Sequence, residues 1–189
     1  TEADVQLQFS YTEVPGKDFL FVVDYSGSMA DIGNSEVDDD SKFADMQSKL
    51  LDVTSQLLEE GNGYENRVAM VSFSDHVKNT LDFTDDLSSV QDFIRVGADE
   101  IKDTDKNPYG DTNYTLALEA AKELLDSHTG EREPVVIFIS DGMPNRSGAG
   151  ESLSIAKLLP EIADRAEAIR SMDIEIIGVL QSLPGDDPE

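Results

Sequence analysis

Apolar positions along the chain fall into two rhythms, a short one that suits strands and one near 3.6 residues that suits helices. Val5–Tyr11 (VQLQFSY) alternates apolar with polar residues, as a half-buried edge strand does, and Pro15-Gly16 breaks it. Phe19–Val23 is a continuous apolar run, expected of a strand covered on both faces in a parallel sheet. From 42 to 59, Phe43, Met46, Leu50, Val53 and Leu57 recur at spacings of three and four, predicting an amphipathic helix that ends near Gly61. Val68–Phe73 reads as a second buried strand and Val77–Phe83 as its hairpin partner at the sheet edge. Helices are predicted near 87–96, over Tyr114–Leu125 and over 152–170, with further strands at Val135–Ile139 and Ile174–Leu180. Strands alternating with helices predict an α/β fold, a doubly wound and mostly parallel sheet flanked by helices and joined by right-handed crossovers. The aromatics Phe9, Tyr11, Phe19, Phe21, Phe43, Phe73, Phe83, Phe93 and Phe138 of these segments are expected in the core.

A length of 189 residues suits one domain with a full core, here placed at 18–182 between an N-terminal extended segment, 1–17, and a C-terminal linker, 183–189. The chain starts at Thr1 rather than Met, which fits a processed or excised fragment, and it is expected to be part of a larger multidomain protein. Its apolar runs all fall short of the roughly 20 residues a membrane span needs. With 40 acidic and 14 basic residues the formal net charge is −26, so nucleic acid and anionic membranes are disfavoured while cations are drawn in. The absence of cysteine excludes disulfides, zinc–thiolate sites and thiol nucleophiles.

In doubly wound sheets ligands sit beyond the C-terminal ends of the strands, at the point where strand order reverses. The residues following each buried strand are therefore the ones to read for chemistry. Asp24-Tyr25-Ser26-Gly27-Ser28 follows the first; in an extended segment its carboxylate and two hydroxyls point the same way. Ser140-Asp141-Gly142 follows Val135–Ile139, and Gly110-Asp111-Thr112-Asn113 stands just before a helix. Each piece alone has an ordinary explanation: Ser and Thr cap helices, and Asp-Gly makes turns. Together, Asp24, Ser26, Ser28, Thr112 and Asp141 form an all-oxygen donor set suited to a hard divalent cation, Mg²⁺ first and Mn²⁺ or Ca²⁺ as alternatives. Two carboxylates and three hydroxyls leave such an ion incompletely neutralised, and so able to attract an outside carboxylate.

FLFVVDYSGSM, then GDTNY before a helix, then VVIFISDGMP after a strand, resembles the von Willebrand factor A domain and its metal ion-dependent adhesion site, Asp-x-Ser-x-Ser followed by Thr and Asp. The resemblance spans about 18–182 and implies a Rossmann-like fold. It also implies that Ser26, Ser28 and Thr112 hold the metal directly, with Asp24 and Asp141 often acting through water. A ligand's Asp or Glu would fill the open position. Tyr25, Asp111, Asn113 and Tyr114, inside or beside these motifs, are candidate residues of the ligand-binding rim. Met29 and Met143 are expected to pack beneath the site. Two departures stand out. Asp111 precedes Thr112 where Gly is common, adding a carboxylate that would weaken the pull on an anionic ligand. The family also usually continues past the strand matching Ile174–Leu180 through a helix, a strand and a last helix; Val5–Tyr11 is a candidate substitute for that strand.

Other motifs fail. Asp103-Thr104-Asp105-Lys106-Asn107 opens like an EF-hand loop, but Pro108 replaces the required Gly and Tyr114 the closing Glu. A phosphatase of haloacid dehalogenase type would carry Asp-x-Asp where this chain has Ser26. Neither phosphate-binding glycine motif occurs, and His76 and His128, with no triad around them, are expected at the surface. The expected function is therefore not enzymatic. It is metal-dependent cell adhesion or protein–protein recognition at a bacterial cell surface, as in pilus adhesins, with a protein ligand such as host extracellular matrix. The alternative is a cytoplasmic assembly scaffold partnering an AAA+ ATPase, as in metal chelatases.

Overall fold

The computed structural model describes residues 16–30, 41–59, 65–101, 111–130 and 132–181. Val5–Tyr11, the acidic stretch 31–40, the calcium-loop-like segment from Asp103 and the end after Gln181 lie outside the described residues.

The elements follow the predicted order: β1 (Asp18–Asp24), α1 (Lys42–Leu57), β2 (Arg67–Phe73), β3 (Val77–Thr84), α2 (Leu87–Ile101), α3 (Tyr114–Ser127), β4 (Pro134–Ser140), α4 (Ile155–Arg170) and β5 (Glu175–Leu180). They build a five-stranded sheet in the order β3-β2-β1-β4-β5. Only β3 runs antiparallel, through its hairpin with β2. The chain moves outward from β1 to β2 and β3, then returns to place β4 on the other side of β1, so strand order reverses between β1 and β4.

Alternation along the central strands divides the core in two. Phe21, Val23, Val68 and Met70 meet Phe43, Met46 and Leu50 of α1 and Val90 and Ile94 of α2 on one face. Leu20, Val22, Ala69 and Val71 meet Ala117, Leu118, Ala121 and Leu125 of α3 and Ile169 of α4 on the other. Covering both faces explains why β1 and β2 read as unbroken apolar runs. β5 is different: most of its residues are exposed, and among the described residues no strand pairs with its outer edge.

Two local details set the frame of the site. Gly16 enters β1 against the backbone of Glu65, where a Cβ would lie 2.2 Å from the carbonyl oxygen, so only glycine passes there. Ser41 caps α1 by accepting the Ala44 N–H at 3.1 Å on its hydroxyl. Ser41→Ala should cost about 1 kcal/mol, read as a lower urea midpoint, while Ser41→Asp should stay near wild type. Helix α4 begins later than expected, at Ile155, because the chain before it forms a loop pinned by a bridge between Arg146 and Ser152.

The opposite end of the sheet holds a cluster that the sequence did not announce. Asp18, buried at the start of β1, accepts hydrogen bonds from Arg67 Nε at 3.0 Å and Arg67 Nη2 at 2.5 Å, and pairs with His128 Nε2. Arg67 also lies over the Phe83 ring, 5.6 Å from its centroid, and His128 meets that ring edge-on. His76 is exposed as expected, but His128 is not a surface residue, because its ring is drawn inward by a buried carboxylate.

Candidate metal centre

At the C-terminal edge of the sheet, β1 ends in Asp24 and β4 in Ser140, side by side at the strand-order reversal. Asp24 is fully buried. One of its oxygens accepts the Ser26 N–H at 2.8 Å and the other the Ser140 hydroxyl at 2.5 Å. The next residues do not stay extended. Gly27–Ala30 form a single 3-10 turn, closed by Met29 N–H on the Ser26 carbonyl at 3.1 Å. Convergence of Ser26 and Ser28 therefore comes from a tight turn rather than from strand alternation. Their hydroxyl oxygens lie 3.2 Å apart, and Ser28 donates to Asp141 Oδ1 at 2.7 Å.

Asp24, Ser26, Ser28 and Asp141 thus belong to one hydrogen-bonded chain. Thr112 is brought to the same end of the sheet by backbone contacts: its N–H donates to Asn145 Oδ1 at 2.8 Å, and its carbonyl accepts from Asn145 and Arg146. Thr112 is itself buried. The donors are oxygens throughout, two from carboxylates and three from hydroxyls. Among the described residues no three His, Asp or Glu side chains gather to hold an ion. This set fits a hard divalent cation that is bound by few charges and stays electrophilic.

Electrostatics at the centre are dominated by burial. Burial pushes the Asp24 carboxyl up to about 6; the Ser140 and Ser26 hydrogen bonds oppose this, and the charge of Asp141 adds to it. The Tyr114 phenol is likewise pushed up, to about 12, by burial and then by Asp24 and Asp141, so it stays neutral. Its oxygen lies 2.6 Å from the Gly142 carbonyl and 2.8 Å from Ser140 Oγ, so its single proton is shared between them. The Tyr114 ring packs edge-on against Phe138 and Phe73, a strut from the core to the centre.

Several expectations need correction. Tyr25 does not border a ligand surface: it is 1% exposed and packs edge-on against Phe43, its centroid 5.0 Å away, because it continues the inward alternation of Phe21 and Val23, its N–H on the Phe73 carbonyl. Asn113 is also buried, not on the rim. Its carbonyl oxygen caps α3 at Leu116 N–H, and its amide donates to the carbonyls of Ser147 and Asp75. Met29 packs beneath the site as expected, but Met143 is 74% exposed, on the loop leaving β4. Asp111 is held by Asn145 Nδ2 at 2.8 Å and Arg146 Nε at 2.6 Å, so its charge is offset by a guanidinium rather than presented bare to a ligand.

Three residues that sequence reasoning passed over complete the centre. Ser140 was visible as the strand-end residue before Asp141, but its bond to Asp24 spans 116 positions. Asn145 ties the Thr112 loop to the β4–α4 loop. Lys42, the first residue of α1, places its ammonium 3.2 Å from Asp141 Oδ2, which no local pattern signals.

The family profile of the von Willebrand factor type A domain matches residues 19–143. No curated protein sequence matches the chain. Among solved structures, the von Willebrand factor domain of the type V pili tip protein Mfa5 from Porphyromonas gingivalis superposes with a TM-score of 0.53 at 19% identity, over 70% of this chain and 40% of that one. The pilus adhesin SpaC from Lactobacillus rhamnosus GG gives 0.65 at 14% identity, over 87% of this chain and 24% of that one. An aerotolerance-related membrane protein from Bacteroides fragilis gives 0.58 at 20% identity, over 92% of this chain and 71% of that one. At these identities the likeness is one of fold. The chain spans two fifths or less of the length of the two pilus proteins.

Proposed function

Because this chain belongs to the von Willebrand factor type A domain family, we propose that it is a metal-dependent recognition module. In this reading it acts at a cell surface and takes a carboxylate of a protein ligand at the centre built on Asp24, Ser26, Ser28, Thr112 and Asp141. The observation that carries the reading is the single hydrogen-bonded chain from Asp24 through the Ser26 N–H, then the Ser26 and Ser28 hydroxyls, to Asp141, set where strand order reverses. A divalent cation held there would supply a positive field and an open position for an anionic ligand atom. The residues themselves do the rest. Ser26, Ser28 and Thr112 offer neutral donors that leave such a field largely intact. Asp24, locked by Ser26 and Ser140, and Asp141, locked by Ser28, supply a limited negative charge in fixed positions. Tyr114 and Asn145 tie the Thr112 loop to the loop that follows β4.

We read the centre as binding rather than catalytic, because both of its carboxylates are committed to hydroxyl and ammonium partners. Structural likeness to pilus tip and adhesin domains supports a recognition role outside the cell. Exposed Met143 next to Asp141 gives the ligand an apolar contact beside the carboxylate. The test is a titration of Mg²⁺, Mn²⁺ and Ca²⁺ into wild type and Asp24→Ala while thermal unfolding is followed. Wild type should gain about 2.7 kcal/mol at one hundred times the dissociation constant, and the variant nothing. Equal shifts in the two proteins, or none in wild type, would reject the centre. Binding to collagen, fibrinogen and glycans with and without EDTA then addresses the ligand.

A further inference from the structure

The metal centre already contains a cation of its own. Asp141 has a side chain only 1% exposed, and both of its oxygens are engaged: Oδ1 by the Ser28 hydroxyl at 2.7 Å and Oδ2 by the Lys42 ammonium at 3.2 Å. Lys42 belongs to another layer of the fold, 99 positions away, and reaches the site from the first turn of α1. Helix chemistry gives no reason for it to be there, since a positive side chain at a helix N-terminus opposes the helix dipole. What offsets that placement is the buried carboxylate. At 25% exposure the Lys42 side chain also keeps a route to solvent.

We infer that Lys42 is a tethered competitor for the metal centre, occupying Asp141 when no divalent ion is bound and displaced or repelled when one is. This deepens the metal-dependent reading above and rests on it. A buried carboxylate left without a counter-charge is costly, so the ammonium stabilises the metal-free protein. The same ammonium sets a like charge beside an incoming dication, so metal binding becomes an exchange of one cation for another. Lys42 thereby lowers metal affinity and makes occupancy responsive to ion concentration, without altering the oxygen donors.

The experiment is calorimetric titration of Mg²⁺ into wild type, Lys42→Met, Lys42→Arg and Asp24→Ala at fixed low ionic strength, with melting temperatures in EDTA and in saturating Mg²⁺. Lys42→Met should bind Mg²⁺ roughly three- to tenfold more tightly, because a like charge has been removed a few ångströms away. It should melt below wild type in EDTA, and the gap should close in saturating Mg²⁺. Lys42→Arg, which keeps the charge, should titrate like wild type. If wild type binds Mg²⁺ but Lys42→Met binds it equally or more weakly, the competition is overturned and the metal centre stands. If Arg and Met raise affinity alike, the effect is packing rather than charge and the competition again falls. If wild type takes up no Mg²⁺, the metal-dependent reading itself fails, and the competition with it.

Discussion

Asp24→Asn is expected to raise the stability of the metal-free protein at pH 7.5 by about 1–3 kcal/mol while removing its response to Mg²⁺. Asp24 is fully buried at the end of the central strand, and burial holds its carboxyl near 6 instead of the ordinary 3.8. Between those values the folded protein keeps a proton that the unfolded chain has released. Stability therefore falls as pH rises from about 4 to about 6, and stays reduced above that window. The difference between those two values corresponds to about 3 kcal/mol. The amide keeps the shape and an acceptor for the Ser26 N–H, but turns the Ser140 hydrogen bond around, which returns about 1 kcal/mol. Urea denaturation in EDTA at pH 4.5 and 7.5 measures both arms. Asparagine should lead clearly at the higher pH and lose most of that lead at the lower. An Asn variant less stable than wild type at pH 7.5 would mean that the buried charge is already compensated. The same residue thus destabilises the fold and serves the site, as expected where function requires a buried charge.

The largest loss of stability is expected at the other end of β1. Asp18→Ala should destabilise the protein by about 3–5 kcal/mol, because Arg67 and His128 lose the buried carboxylate they share. Asp18 also shows the opposite pH behaviour from Asp24. Burial alone would raise its carboxyl, but the hydrogen bonds and charges of Arg67 and His128 outweigh burial and hold it below the ordinary range. Its contribution is therefore complete above about pH 4 and is lost as pH falls through the depressed folded value. Asp18→Asn should flatten the acid limb of the stability profile while costing less than Ala at neutral pH. Chemical denaturation between pH 2.5 and 7 checks this. An Ala variant within 1 kcal/mol of wild type at pH 7 would show that Arg67 and His128 find water as readily as they find Asp18.

The two aspartates bound the same strand, and they show how far a sequence can be read. Asp24 was legible because it closes an apolar run and opens a motif. Asp18 opens the same run with no motif around it, and its partners stand 49 and 110 positions away. Asp141 was legible in the same way as Asp24, whereas Ser140 and Lys42, which bracket the two carboxylates, were not. The rim residues fared worst. Tyr25 and Asn113 sit inside the motifs, yet Tyr25 continues the inward alternation of β1 and Asn113 caps a helix, so both lie in the interior.

The order and kind of the elements, and the oxygens waiting at their ends, follow from the sequence alone. Burial periodicity and strand-end position are local properties, written within a few residues. Which of those side chains meet is settled only by the folded chain. That depends on the register of β1 against β2 and β4 and on the packing of α1 against the sheet. These are set by packing over the whole core, so the Lys42–Asp141 pair, the Ser140–Asp24 bond and the cluster on Asp18 appear only once the chain is folded.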